Sequence, residues 1–241
     1  TTAQLAGYIG SPRESVSAWV AGINHMAWFL RFERDGEDAY PDLWDALEND
    51  ETFALDPVRF EVMRHFGFFV SESTRHMSEY VPYFRTKAER MERFGLNAIS
   101  TELSGLEMRK DAYFAAMRDE VVGQTQLRAE PSDEYASAIM NSIETGELST
   151  INGNVPNFGL ISNLADGACV EVPCLVDDLG LHPMAVGELP AHLAALCRSN
   201  MAVQELAVRA VLEGSRDAAK HAVMLDPLTS ATLSLDEIDS M

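Results

Sequence analysis

Apolar residues crowd one stretch near the start of the chain, Val20-Ala21-Gly22-Ile23-Asn24-His25-Met26-Ala27-Trp28-Phe29-Leu30. Its aromatic content and short length predict a strand over 22–32 rather than a helix. Two polar side chains, Asn24 and His25, interrupt the run. Buried without partners, each would cost about 1–3 kcal/mol. The pair is therefore either satisfied by backbone groups in the core or held for a function. A plain strand sends His25 to one face and Asn24 to the other, unless a bulge or twist turns both toward a pocket.

Helical signals dominate most of the rest. Ser11-Pro12-Arg13-Glu14 supplies a capping serine, a first-turn proline and a glutamate that reaches back, predicting a helix to about residue 18. Asp35-Gly36 is a turn signal. A short helix is expected over 41–49. Asp56-Pro57 opens another, with Val58, Val62, Phe66 and Phe69 at helical spacing. After a loop over 70–74, a helix is expected over 79–94, with Tyr80, Tyr83 and Phe84 on one side near its start. Further helices are expected over 101–122 and from Pro131-Ser132-Asp133-Glu134 to Gly146.

Between Gly146 and Gly187 the pattern changes. Asn152-Gly153-Asn154, Pro156-Asn157 and Asp166-Gly167 mark turns. Strands are expected over 148–152, 159–163 and 168–176. The last alternates, with Val170, Val172 and Cys174 on one face. Met184 and Val186 suggest a further short strand. A long helix follows over 190–213, with Leu193, Leu196, Met201, Leu206 and Val208 on its apolar positions. Gly214 stops it and Ser215 caps a helix to Leu225. Asp226-Pro227 breaks the chain. Ser234-Leu235-Asp236-Glu237 reads as a capping box with no helix body after it. The expected class is α+β: mostly helical, with a small mixed or antiparallel sheet, in one domain over 1–241.

Charge narrows the partners. The chain has 18 basic and 38 acidic side chains, a formal net charge of -20. That argues against nucleic acid and anionic membranes as partners. Arg85, Lys87, Arg90 and Arg93 lie close in sequence and read as one solvated helix face. No apolar run approaches the roughly 18 residues that span a bilayer. Thr1-Thr2-Ala3-Gln4 lacks the basic start of a signal peptide. Cys169, Cys174 and Cys197 have no close pair spacing. They are expected to be small buried hydrophobes in a protein of the reducing cytoplasm.

Several segments, in order, resemble the family 4 glycoside hydrolases, most closely their alpha-galactosidase branch. Gly22-Ile23-Asn24-His25 with Trp28-Phe29 is similar to the family's metal-binding segment. Ser71-Glu72-Ser73-Thr74-Arg75-His76-Met77-Ser78-Glu79-Tyr80-Val81-Pro82 fits as well. So do Gly159-Leu160-Ile161-Ser162-Asn163-Leu164, Val170-Glu171-Val172-Pro173, Val186-Gly187-Glu188-Leu189-Pro190 and Leu225-Asp226-Pro227-Leu228-Thr229. The likeness spans almost the whole chain. It implies the substrate-side, C-terminal domain of a glycosidase built like lactate and malate dehydrogenases.

The resemblance also implies a chemistry outside the usual two-carboxylate hydrolysis. NAD takes hydride from C3 of the sugar, which acidifies the C2 proton. A tyrosine removes that proton beside a divalent metal, often Mn2+. The C1 substituent leaves, water adds, and the hydride returns. His25 matches the family's histidine metal ligand. Asn24 matches a residue whose amide holds a substrate hydroxyl. His76 either orients another hydroxyl or is a surface helix residue. Tyr80 is the expected base because it follows the segment that the family places beside the metal. Tyr83, one helical turn on, is the alternative, and either ring could instead pack in a core. Asn154 and Asn163 are expected to support turns only.

Departures from the family pattern are equally clear. The sequence contains no G-x-G-x-x-G, so the NAD-binding Rossmann half is expected to be absent from these residues. The family's cysteine ligand, in a Cys-His-Ser stretch, and an acid two residues before it would lie ahead of Thr1. The capping box near Met241 suggests that the far end is shortened too. The expected protein is an NAD- and Mn2+-dependent alpha-glycosidase acting on a galactoside or uronide. It would be a homo-oligomer, dimer or tetramer, and inactive as these 241 residues alone. The alternative is a non-enzymatic interaction module whose interface is the helix over 190–213. A lactate- or malate-type dehydrogenase lacks support, since no matching His-Asp pattern occurs.

Overall fold

The structure, a computed structural model, describes residues 1–97, 99–123 and 134–241. In chain order its elements are α1 (Thr2–Tyr8), a 3-10 turn (Arg13–Ser15), β1 (Val16–Ile23), β2 (Met26–Arg34), β3 (Glu37–Asp38), α2 (Tyr40–Leu47), α3 (Asp50–Leu55), α4 (Pro57–Phe66) and α5 (Thr74–Tyr80). Then come α6 (Ala88–Arg93), α7 (Ile99–Val121), α8 (Ala136–Thr145), β4 (Ser149–Pro156), β5 (Cys169–Asp177), β6 (Gly180–Pro183), α9 (Ala191–Glu213), α10 (Arg216–Leu225), α11 (Pro227–Thr232) and α12 (Leu235–Asp239). The class is the expected α+β. The sheet runs β3-β2-β1-β5-β4, with β6 on β5, and every pair of named strands is antiparallel.

The apolar run is a hairpin rather than one strand. β1 pairs with β2 from Val16 opposite Arg34 to Ile23 opposite Met26, with a bulge between Trp19 and Val20. Both faces of the hairpin are buried, which explains why the run is apolar throughout instead of alternating. Ala21, Ile23, Met26 and Trp28 join one core with α4, β5 and α9. Val16, Val20, Ala27 and Phe29 join a second core with α1, α2 and Phe69. At the narrow end Gly22 admits no side chain, because a Cβ there would meet the Met26 carbonyl oxygen at 2.3 Å.

Five other expectations are corrected. The helix over 12–18 shrinks to the 3-10 turn, because Val16 to Val20 is taken up by pairing with β2. The helix over 79–94 becomes α5 and α6. Pro82 forces Val81 into the extended region (φ -134°, ψ 151°) and ends α5 at Tyr80. The strand over 159–163 is a loop. The buried Asn157 amide donates to the carbonyls of Ile161, Leu164 and Ala165 and accepts from Ile161 N, so a side chain replaces strand partners. The short strand is β6, earlier than Met184 and Val186. The capping box at Ser234 does carry a helix body, α12. The helix start at residues 131–134 lies largely outside the described residues.

Side chains expected on the surface also move. Arg85 is buried, donating to Ser78 Oγ at 2.7 Å and to the Asn97 carbonyl at 2.8 Å. Cys174 and Cys197 are buried as expected, whereas Cys169 is exposed. A buried Asp56 ties the N-terminal helices together. It accepts from Tyr8 Oη at 2.9 Å, pairs with the buried Arg59, and accepts from Thr74 Oγ1. That last bond fixes the first residue of α5 against α4.

Replacing Gly22 by alanine is expected to lower stability by about 1–3 kcal/mol, the range for overpacking. Urea unfolding checks this as a lower midpoint at unchanged slope. An unchanged midpoint would mean that the hairpin end is looser than described.

Candidate metal and sugar site

Asn24 and His25 are the two residues that turn the chain between β1 and β2. His25 adopts a left-handed conformation (φ 63°). Such values are uncommon for a residue with a side chain, though histidine tolerates them better than most. The turn removes the expected choice between two strand faces. Asn24 is exposed, and the His25 side chain keeps 33% of its surface.

A second segment is laid beside the first. Phe29 N donates to the Phe69 carbonyl and Ser71 N to the Ala27 carbonyl, so residues 69–71 run along β2. Glu72 follows at the level of the hairpin tip. Ser73 caps α5, its Oγ accepting from His76 N at 3.4 Å. His76 and Tyr80, four residues apart, lie on one face of α5.

These pieces converge. His25 Nε2 lies 3.5 Å from Glu72 Oε2, and His76 Nδ1 lies 3.3 Å from Glu72 Oε1. The two imidazoles stack with centroids 5.1 Å apart. His25 Nδ1 is 3.0 Å from Tyr80 Oη, with the rings edge to face. Donor atoms of His25, Glu72 and His76 all fall within 4.8 Å of one another. Two imidazoles and one carboxylate suit a divalent transition ion. With Nδ1–H donated to Tyr80, Nε2 of His25 keeps a free lone pair for that ion. On the far side, Asn200 of α9 donates its amide to the Tyr80 carbonyl at 3.2 Å, holding the end of α5.

The charges around the site are mostly negative. Burial first, then the charges of Glu79 and Glu72, hold the Tyr80 phenol above its ordinary 10.0. A base needs the opposite direction, which a cation among the donor atoms would favour. Glu79 is near Arg75 (3.5 Å) and Arg85 (3.6 Å). Glu171 of β5 pairs in register with Gly22 of β1. Its carboxyl is pushed up to about 7, by burial first and by the Glu72 charge second.

The structure thus gathers His25, His76 and Tyr80 into one cluster with Asn24 beside them. Tyr83 lies apart. Pro82 ends the helix that would have kept it one turn from Tyr80. Its ring packs against Phe66 at 6.0 Å, and it lines a separate cavity of about 440 Å3 with Glu61, His65, Phe66, Arg90 and Arg93. Asn163 supports backbone, exchanging hydrogen bonds with Leu189, and Asn154 lies on β4 opposite Glu171. Sequence reading missed Glu72, Glu171 and Asn200. Glu72 had a signal, since it stands four residues before His76. Asn200 had a weaker one, a polar residue at a buried position of α9.

Fold and donor set together define an α+β domain with a candidate divalent-metal centre at a hairpin tip. Residues 20–229 match the family 4 glycosyl hydrolase C-terminal domain, and the chain belongs to that family. An alpha-galactosidase of Bacillus subtilis (strain 168) is 40% identical over 251 residues, covering 100% of this chain and 56% of that protein. The chain therefore spans about half the length of this relative. Among solved structures, lplD of Bacillus subtilis, assigned as a glucosidase, has a TM-score of 0.85 at 19% identity, covering 99% of this chain and 58% of that one. A 6-phospho-alpha-glucosidase from gut microorganisms, solved with NAD and Mn2+, has a TM-score of 0.72 at 19% identity, covering 99% of this chain and 56% of that one. At these identities the solved structures establish the fold.

Glu171 generates a pH prediction. In the unfolded chain its carboxyl ionises near the ordinary 4.5, while in the folded chain it keeps its proton to about 7. The stability it contributes is fully present below the lower value and is lost as pH rises through the higher one. Glu171→Gln should therefore gain stability over the parent between pH 4.5 and pH 8, by on the order of 2 kcal/mol. Urea unfolding at the two pH values tests this. Parallel pH dependence in both proteins would show that the carboxyl is well hydrated.

Proposed function

We propose that this domain is the metal- and sugar-binding part of a glycosidase that acts on an alpha-galactoside or a related alpha-glycoside. The observation that carries the reading is the convergence of His25, Glu72, His76 and Tyr80. Family membership and the alpha-galactosidase relative support the substrate class. A bare interaction module has no need of two stacked imidazoles, a shared carboxylate and a phenol at hydrogen-bond distance.

The donors His25 Nε2, Glu72 and His76 Nδ1 would hold a divalent ion, Mn2+ by analogy with the solved 6-phospho-alpha-glucosidase. When bound, it supplies a Lewis acid for neighbouring sugar oxygens. Tyr80 Oη is placed to accept a proton from the sugar at the edge of the metal site, once a bound cation favours its ionised form. His25 holds that oxygen in place through Nδ1, and Asn200 holds the backbone that carries it. Exposed Asn24 offers its amide to a sugar hydroxyl. NAD is the proposed redox partner, as named for the same solved structure. These residues fit it poorly: among the described residues there is no glycine-rich strand-to-helix turn.

Other parts of the reading follow from the surface. Val208, Val211 and Leu212 of α9 are exposed, at 56%, 82% and 80%, which supports a homo-oligomer through this end of the helix. Among the described residues no helix is long and apolar enough to cross a membrane. Three free cysteines support a cytoplasmic setting.

Two measurements test the function. Mn2+ titration, followed by electron paramagnetic resonance, should show binding that His25→Ala and Glu72→Gln each weaken by about tenfold or more. Equal binding by both variants would place the ion elsewhere. For chemistry, the polypeptide as the cell makes it should hydrolyse a nitrophenyl alpha-galactoside with NAD, Mn2+ and a reductant. Tyr80→Phe should lower kcat by about 10²–10⁴ with KM little changed. Turnover by residues 1–241 alone, or full activity of Tyr80→Phe, would refute the assignment.

A further inference from the structure

Glu171 is a carboxyl that the chemistry above leaves unused. β5 meets β1 in register at one place, Glu171 opposite Gly22, three residues before His25. From Cys174 onward the same edge of β5 is taken over by β6. On its other side Glu171 faces Asn154 of β4. Val170 and Val172 are fully buried in the core, so the two-residue period of the strand sends Glu171 to the opposite face.

The neighbouring acids are engaged. Glu72 shares its two oxygens between His25 and His76, and Glu79 lies beside Arg75 and Arg85. For Glu171 no hydrogen bond or ion pair is found among the described residues, although it is partly buried. Proximity to the cluster follows from the register, which sets Glu171 opposite Gly22, three residues from His25. A partly buried carboxyl without a partner is a standing cost to the fold. Nothing in the packing requires it: the flanking valines already fill the core side of β5. The group is therefore in place for something that arrives from outside.

We propose that Glu171 is a sugar-binding carboxyl of this site, taking a substrate hydroxyl on the β5 side of the hairpin while Glu72 works on the α5 side. Carboxylates are strong acceptors for hydroxyl donors, and one oxygen pair can take two adjacent hydroxyls. A ring seated at the hairpin tip is then held from both flanks: the donors of α5 on one, Glu171 on the other. The proposal rests on the metal-site reading above and adds a contact that reading does not need.

The test uses the polypeptide as the cell makes it, with Mn2+ and NAD supplied and D-galactose as the probe. Mn2+ affinity is measured first, then galactose affinity by calorimetry. At pH 8, where the Glu171 carboxyl is ionised, Glu171→Gln should keep Mn2+ affinity within about twofold and weaken galactose by about tenfold or more, the loss of a charged hydrogen bond. Glu171→Asp, which keeps the charge on a shorter arm, should recover part of the loss. Galactose affinity equal to the parent's in Glu171→Gln overturns the proposal and leaves the metal site standing. Parent protein that binds Mn2+ but no galactose overturns it as well. Parent protein that binds no Mn2+ removes the metal site itself, and the proposal with it.

Discussion

Burial of both faces of the β1–β2 hairpin is the constraint on which the rest depends. Every position from Val20 to Phe29 except Gly22 and the turn packs into one of two cores. Polar side chains can be tolerated only where the chain reverses, and Asn24 and His25 occupy that place. The reversal is tight because Gly22 has no side chain to strike the opposite strand. A histidine in the left-handed region completes it. The site thus sits at the rim of the core, with its ring supported by rigid strands and its nitrogens reachable from outside.

A second set of contacts brings α5 to that rim. Residues 69–71 run beside β2, and Asp56 clasps Thr74 at the helix start. Pro82 stops the helix at Tyr80, and Asn200 holds its last carbonyl. Between these fixed ends, the four-residue step from His76 to Tyr80 puts both side chains on one face of α5, and Glu72 joins them from the loop just before the Ser73 cap. The geometry follows from helix period, and the precision from anchors at both ends.

Electrostatics favour the cation proposed for this site. The chain carries -20 formal charges, and the cluster repeats the excess locally through Glu72, Glu79 and Glu171. Burial and neighbouring carboxylates push the Tyr80 phenol in the direction unsuited to a base. A divalent ion among the imidazoles would offset that charge.

The sequence by itself determined the helices that have clear caps and stops, α9 and α10 with Gly214 and Ser215 between them, and the alternating core face of β5. Local signals settle these because propensity, caps and period agree over many residues. It also pointed to His25 and Tyr80 through resemblance, since each lies inside a segment with other matching residues. Only the tertiary structure decided that one apolar run is two strands, because both-face burial erases the alternation that marks a turn. Only it separated Tyr80 from Tyr83, through one proline, and added Glu72, Glu171 and Asn200. Those three act across the fold, from a loop, a strand and a helix far apart in sequence. No local pattern records which distant residue a side chain will meet.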